Sequence, residues 1–358
     1  MLRRLYVHNF RCLENFELSI GEHHSALLIG KNGSGKSTVG RTLGLLQQIA
    51  RGTNRIDQLI EPKDITRGRV DTPVRFEIDV ELAGVVYEYS IAFELPRGSK
   101  ELRIFAEKLS RDHQSVYSRE RETISLPKAT DSFLVNQHLV ALPIIHEGPF
   151  IQWLANMLIL RPIPELILGG SHQETLQLDE HGINLGAWFS AMLANTPAAY
   201  ADIDGYLKEV MPDFKDIKNP NVGADARSLV VQFSKDERTL TVPFADLSDG
   251  EKCFMLCALV LAANRAYGPL FCFWDEPDNY LALSEVGHFL TALRKEFQAK
   301  GQLLATSHNP EAIRRFSDEN TFHIFRKSHL EPSMIRLLSD IPRTGDLITS
   351  LLLGDLES

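Results

Sequence analysis

Cysteine is scarce and unpatterned in this chain. Its four residues, Cys12, Cys253, Cys257 and Cys272, show no CxxC spacing and no nearby His pair. Neither a zinc site nor a disulfide framework is signalled, and the usage fits a reducing compartment. Cys253 and Cys257 stand at i,i+4 in an apolar stretch and read as core. Long apolar runs are also missing. The longest, residues 153–168, is broken by Arg161 and two prolines, so no membrane span and no membrane partner are expected. The opening MLRRLYVHNF lacks the apolar run and small-residue cleavage site of a secretory signal, which points to a cytoplasmic protein. There is no internal repeat, low-complexity tract or sustained heptad pattern.

An excess of positive charge is absent as well. A net charge of -9 argues against adhesion of the whole surface to nucleic acid. Basic residues are nonetheless unevenly spread, and Arg51, Arg55, Lys63, Arg67 and Arg69 form either a solvated loop or a local basic patch. What is present in ordinary amount is apolar content, 44%, enough to bury a sizeable core. The length, 358 residues, allows two domains or one domain with an elaborate insertion.

Periodicity supplies the elements. Residues 2–10 and 24–30 read as two strands around a turn, and a helix runs from Lys36 to about Arg51. Over 74–126 the pattern has period two, with turns at Ala83-Gly84 and Pro96-Arg97-Gly98-Ser99, which predicts an antiparallel meander. Helices are expected over 150–165 and 184–211, and a hairpin over 228–233 and 239–242. Beyond 245 helices (250–267, 284–300, from 310) alternate with strands (270–274, 302–306, 321–326) in the α/β manner. The expected architecture is a split domain, 1–135 plus 225–358, with a mainly helical subdomain inserted over 136–224.

Four motifs carry chemistry. Gly30-Lys31-Asn32-Gly33-Ser34-Gly35-Lys36-Ser37-Thr38 matches G-x-x-x-x-G-K-[ST] between a predicted strand and a predicted helix. Its glycines let backbone N–H groups wrap phosphates. Lys36 reaches the β- and γ-phosphates, and the Ser37 hydroxyl is a ligand for Mg²⁺. The run Phe271-Cys272-Phe273-Trp274-Asp275-Glu276 reads as a buried parallel strand whose acids emerge at the ligand-binding end. Asp275 is then a metal residue through water, and Glu276 is a general base for the attacking water. Leu247-Ser248-Asp249-Gly250-Glu251-Lys252 opens a helix and presents a hydroxyl and N–H groups to an anion. His308, at the end of the 302–306 strand, is placed to sense a γ-phosphate. Taken alone, the third and fourth motifs read equally as an ordinary helix cap and a loop histidine; their order behind the lysine loop is what is specific.

Together these motifs resemble the ABC class of ATPases: Gly30 to Thr38 as Walker A, Leu247 to Lys252 as signature, Phe271 to Glu276 as Walker B, and His308 as switch. Pro277-Asp278-Asn279-Tyr280-Leu281 stands where the D-loop belongs. The opening Asn9-Phe10-Arg11, the LSDGE form of the signature and the meander with Glu107-Lys108-Leu109 are similar to the RecF, SMC and OLD-like branch. Asp179 to Leu185 resembles ATPases of prokaryotic defence and repair operons. The resemblance covers the nucleotide core closely and the middle third loosely. It implies an ABC-type P-loop head with a mixed sheet, ATP and Mg²⁺ as cofactors, and a homodimer in which Ser248 and Gly250 of one copy cap the nucleotide of the other. Asn32, Gly33, Ser34, Gly35, Lys36, Ser37 and Thr38 make up the binding loop, with Arg11 added from the opening and Gln137 assigned as the Q-loop glutamine by its order along the chain.

The resemblance further implies hydrolysis that switches conformation, DNA as a ligand to be sensed or handled, and a separate effector or nuclease subunit in antiviral defence or DNA repair. No coiled coil interrupts the head, and no acidic nuclease module follows His308, so cleavage is expected from a partner chain. Asp278 and Tyr280 depart from the D-loop of relatives, which often have Glu and His. The competing readings are a slow nucleotide-dependent protein clamp, a transporter's ATP-hydrolysing subunit, and a small-metabolite kinase, which leaves Ser248 and His308 unexplained.

Overall fold

A computed structural model describes residues 1–127, 132–145 and 148–341. The chain divides into two compact units, Met1–Met157 with Phe316–Ser358, and Leu158–Arg315. The expected boundaries at 135/136 and 224/225 fall inside these units. The C-terminal end of the expected nucleotide-binding domain, 342–358, lies outside the described residues. Among the described residues no helix is long and apolar enough to cross a membrane.

The first unit carries the meander as an antiparallel sheet of eight strands. Its alternation is read directly in Val74–Leu82, where Val74, Phe76, Ile78 and Val80 are buried and the charged residues between them are not. Phe10, Phe76 and Phe93 stack edge to face beneath it, with centroids 5.0 and 6.1 Å apart. A fully buried carboxylate, Glu107, holds the return of the chain after the meander. It accepts the hydroxyls of Tyr89 and Tyr117 and the amides of Ala141 and Leu142. Burial pushes the Glu107 carboxyl above its usual range.

Residues 2–10 and 24–30 are not two strands around one turn. Leu2–His8 pairs with Phe16–Ser19, a strand unexpected from the sequence, and with Val74–Leu82. Ser25–Ile29 instead runs parallel to Thr321–Phe325, which pairs antiparallel with Met334–Leu337. All five residues of Ser25–Ile29 are buried, which explains why its run is continuously apolar rather than alternating. The helix Lys36–Ala50 follows, and Arg51 Nε donates to the carbonyl of Ala155 at 2.9 Å.

The second unit contains three parallel strands in the order Leu158–Leu160, Phe271–Trp274, Gln302–Ser307. The helix expected over 150–165 is therefore only Gly148–Ala155, and Leu158–Leu160 is a strand. Pro162 and Pro164 forbid a helix through that segment, and three apolar residues suffice to pair beside Trp274. The 184–211 segment is likewise two helices, Leu185–Asn195 and Ala199–Val210, separated at Thr196 and Pro197. The helix from Pro310 is a single turn, Pro310–Ile313. Asp249–Tyr267 is apolar nearly all round and sits in the core of this unit with Trp188, Phe254, Trp274 and Phe289. Trp274 meets Phe289 edge-on at 5.5 Å, which locks the end of the strand that carries the acids.

Candidate active site

The phosphate loop lies in the first unit and has no room for side chains at two glycines. A Cβ on Gly30, whose φ is 153°, would lie 2.0 Å from the carbonyl oxygen of Ile324; one on Gly35, φ 116°, would lie 2.9 Å from Ser333 Oγ and 3.1 Å from Cys12 Sγ. The loop is closed from behind by the segment that carries Ser333. Ser333 Oγ donates to the carbonyl of Ser34 at 2.6 Å, and Ser333 N donates to the carbonyl of Cys12 at 2.8 Å. Cys12 Sγ lies 3.6 Å from Thr38 Oγ1. Cys12, which follows the opening Asn9-Phe10-Arg11, thus stands against the phosphate loop.

Lys36, 5% exposed, donates from Nζ to the carbonyls of Gly30 at 2.7 Å and Lys31 at 3.4 Å. The helix starts at Lys36 with no acidic residue in its first turn, leaving its positive end uncompensated. Asn32, Gly33 and Ser37 complete the loop, and Ser34 Oγ is buried without a hydrogen-bond partner. Arg11 is held in the left-handed region, φ 54°, and its guanidinium pairs with Asp64 at 2.7 Å while Nε is buried and unpartnered. Gln137 sits on the meander, its carbonyl accepting Ile104 N and its side chain 3.5 Å from Arg103.

In the second unit the ends of two parallel strands bring the acids and the histidine together. Thr306, fully buried, donates its hydroxyl to Asp275 Oδ1 at 2.7 Å and accepts the amide of Glu276 at 2.9 Å. Glu276 adopts φ 51°, a strained conformation for a non-glycine residue of the kind held at functional sites. One Glu276 oxygen accepts Asn279 Nδ2 at 2.6 Å; the other lies 3.3 Å from His308 Nδ1. Asp278 is buried and accepts Ser307 Oγ at 3.0 Å, and its burial pushes its carboxyl above the usual range. The segment after the acid strand and the flank of His308 are thereby tied together.

Ser248 caps Asp249–Tyr267. Its Oγ accepts the amide of Glu251 at 3.4 Å and Glu251 Oε2 accepts the amide of Ser248 at 2.8 Å, a reciprocal capping box, and the hydroxyl donates to the same Oε2 at 2.7 Å. Gly250 passes close to the next segment: a Cβ there would lie 3.2 Å from the carbonyl oxygen of Tyr280.

Three contributors were not legible in the motifs, Arg161, Thr306 and Ser333, while Asn279 stood in the D-loop run without a role of its own. Arg161 Nε lies 3.2 Å from Asp275 Oδ2. Its only sequence signal is a charge that interrupts an apolar run.

The residues fit a nucleotide and its metal. In the first unit Gly30 and Gly35 leave space only for backbone and Ser34 Oγ is a buried hydroxyl without a partner, which suits a phosphate; within each unit taken by itself, the Ser37 hydroxyl and the Asp275 carboxylate are oxygen donors of the type Mg²⁺ takes alongside phosphates and water.

A P-loop strand and helix, a parallel strand ending in two acids, a capped signature helix and an antiparallel meander define an ABC-type ATPase head. Over residues 1–330 the sequence matches the family described as the RecF/RecN/SMC N-terminal domain, and the chain belongs to that family. It is an ABC-class ATPase of the RecF/SMC branch. Among solved structures, an SMC head bound to the C-terminal winged-helix domain of ScpA aligns with a TM-score of 0.57 at 14% identity, covering 94% of this chain and 96% of that one. An SMC head with an extended coiled coil, bound to the C-terminal domain of ScpA derived from Pyrococcus furiosus, aligns with a TM-score of 0.51 at 12% identity, covering 100% and 99%. These likenesses concern the fold. No curated protein matches the chain significantly.

Proposed function

We propose that the chain is a Mg²⁺-dependent ATPase that dimerises around ATP and uses hydrolysis to switch conformation. The observation that carries this reading is Glu276, held strained beside Asp275 by one threonine and bracketed by Asn279 and His308. Lys36 and the loop amides bind the β- and γ-phosphates, with Asn32 to Thr38 and Arg11 around them. Ser37 and Asp275 hold the metal, which supplies charge neutralisation at the phosphates. Glu276 accepts the proton of the attacking water, and Asn279 fixes the carboxylate's orientation. His308 follows the γ-phosphate and its loss. Ser248 and Gly250 of a second copy close over the nucleotide.

The switch would act on DNA and on a separate effector or nuclease subunit, in phage defence or DNA repair. The ScpA-bound SMC heads support a protein partner seated on a head of this fold. A DNA complex should weaken steeply as salt rises.

Complementation between two defective chains tests the shared site. Neither Lys36→Ala nor Ser248→Arg alone should hydrolyse ATP, because each homodimer carries the lesion in both pockets. Mixed, they should regain hydrolysis through the one pocket free of both lesions. No recovery, from variants that fold and mix, would overturn the dimeric reading.

A further inference from the structure

Asp275 offers two carboxylate oxygens, and both are engaged by groups of this chain. Oδ1 takes the Thr306 hydroxyl at 2.7 Å, and Oδ2 lies 3.2 Å from Arg161 Nε. The carboxylate side chain is only 9% exposed, whereas the arginine side chain is 34% exposed. We propose that Arg161 is a built-in counter-cation of Asp275: it occupies the metal-bearing carboxylate while the site is empty and competes with the divalent ion for it. This rests on the reading of Asp275 as the metal residue and assigns Arg161 as a positioning residue for it.

The placement is not that of a wandering surface arginine. Arg161 follows the strand Leu158–Leu160, and Asp275 N donates to the carbonyl of Leu160 at 2.8 Å, so the two backbones are bonded one residue from the pair. A clasp on the other side fixes Arg161 itself. Its amide donates to the carbonyl of Glu180 at 2.7 Å, and its carbonyl lies 2.9 Å from His181 Nδ1. The clasp is made from the Asp179-to-Leu185 motif, whose turn is closed by Asp179 accepting the amide of His181 at 2.8 Å and by Asn184 accepting the amide of Asp179 at 2.9 Å. The function of Asp179 to Leu185, unassigned by the nucleotide chemistry, is then to hold a cation against Asp275. A guanidinium at this range satisfies one carboxylate oxygen and lowers the negative potential that attracts a divalent ion, and the burial of the carboxylate limits its screening by water.

Manganese binding tests this without turnover. Free Mn²⁺ is followed by electron paramagnetic resonance during titration of the full chain with a non-hydrolysable ATP analogue. Arg161→Gln should bind Mn²⁺ roughly fivefold or more tightly than the parent chain. Arg161→Lys, which keeps the charge, should stay within about twofold of the parent. Equal or weaker binding by a folded Arg161→Gln chain overturns the proposal while leaving the ATPase reading intact. Should the glutamine variant not fold, the lysine variant decides: tightening by fivefold overturns it and parent-like binding upholds it. A parent chain that retains no Mn²⁺ with the analogue defeats the metal reading of Asp275 and this proposal with it.

Discussion

The hydroxyl of Thr306 donates to Asp275 at 2.7 Å while it accepts the amide of the next residue, Glu276. One buried side chain therefore sets both the rotamer of the first acid and the backbone of the second. Thr306→Val keeps the shape and removes both bonds. It should lower stability by about 1–3 kcal/mol, the range for leaving buried polar groups unsatisfied. ATP turnover should fall on the order of a hundredfold through misplacement of Glu276. Thr306→Ser should retain most of both. Urea unfolding and phosphate release measure the two effects separately.

Glu276→Gln removes the proposed base and leaves the carboxamide able to keep the Asn279 contact through its oxygen. Hydrolysis should drop by about 10²–10⁴-fold, and nucleotide affinity should stay near that of the parent. Light scattering with ATP should show the variant accumulating as a dimer. A variant that hydrolyses normally would remove Glu276 from the mechanism.

Glycines at two places should respond with opposite sign. Gly30→Ala would put a Cβ 2.0 Å from the Ile324 carbonyl oxygen in a backbone conformation that disfavours it. A loss of about 3 kcal/mol or more is expected. Gly205, exposed in the helix Ala199–Val210, has open space around its Cβ position and no positive φ. Gly205→Ala should gain roughly 0.5–1 kcal/mol. Denaturant midpoints report both.

Cysteine reactivity follows burial. Cys12 is part-exposed, while Cys253, Cys257 and Cys272 are buried and burial raises their thiol pKa values, that of Cys253 to about 12. Brief alkylation of the native chain at pH 8, read by mass spectrometry, should modify Cys12 alone, and denaturation should expose the other three. The sign for Cys253 follows from a folded pKa above the ordinary value of 9.0. Its contribution to stability is complete below pH 9 and is lost as pH rises from 9 through about 12. Cys253→Ala should flatten that part of an alkaline unfolding curve.

The motifs were legible because each is a run of adjacent residues whose chemistry is local. Gly30 to Thr38, Asp275-Glu276 and the Ser248 cap fall where a strand end or helix start was expected. The meander was legible from strict alternation. The strand Leu158–Leu160 was not, because three apolar residues beside a short helix carry no period of their own, and only pairing with Phe271–Trp274 makes them a strand. Arg161 and Thr306 act on Asp275 across long sequence separations, so neither has a local signature. Residue order suggested Gln137 for the nucleotide set; the fold places it on the meander beside Arg103.

The brace from Ser333 to Ser34 spans 299 positions of sequence. The strand beneath the loop also leans on Thr321–Phe325. During synthesis the lysine and its glycines leave the ribosome well before the walls that shape them. A nascent chain that has not yet released Ser333 would possess the phosphate-binding letters without the cup they spell.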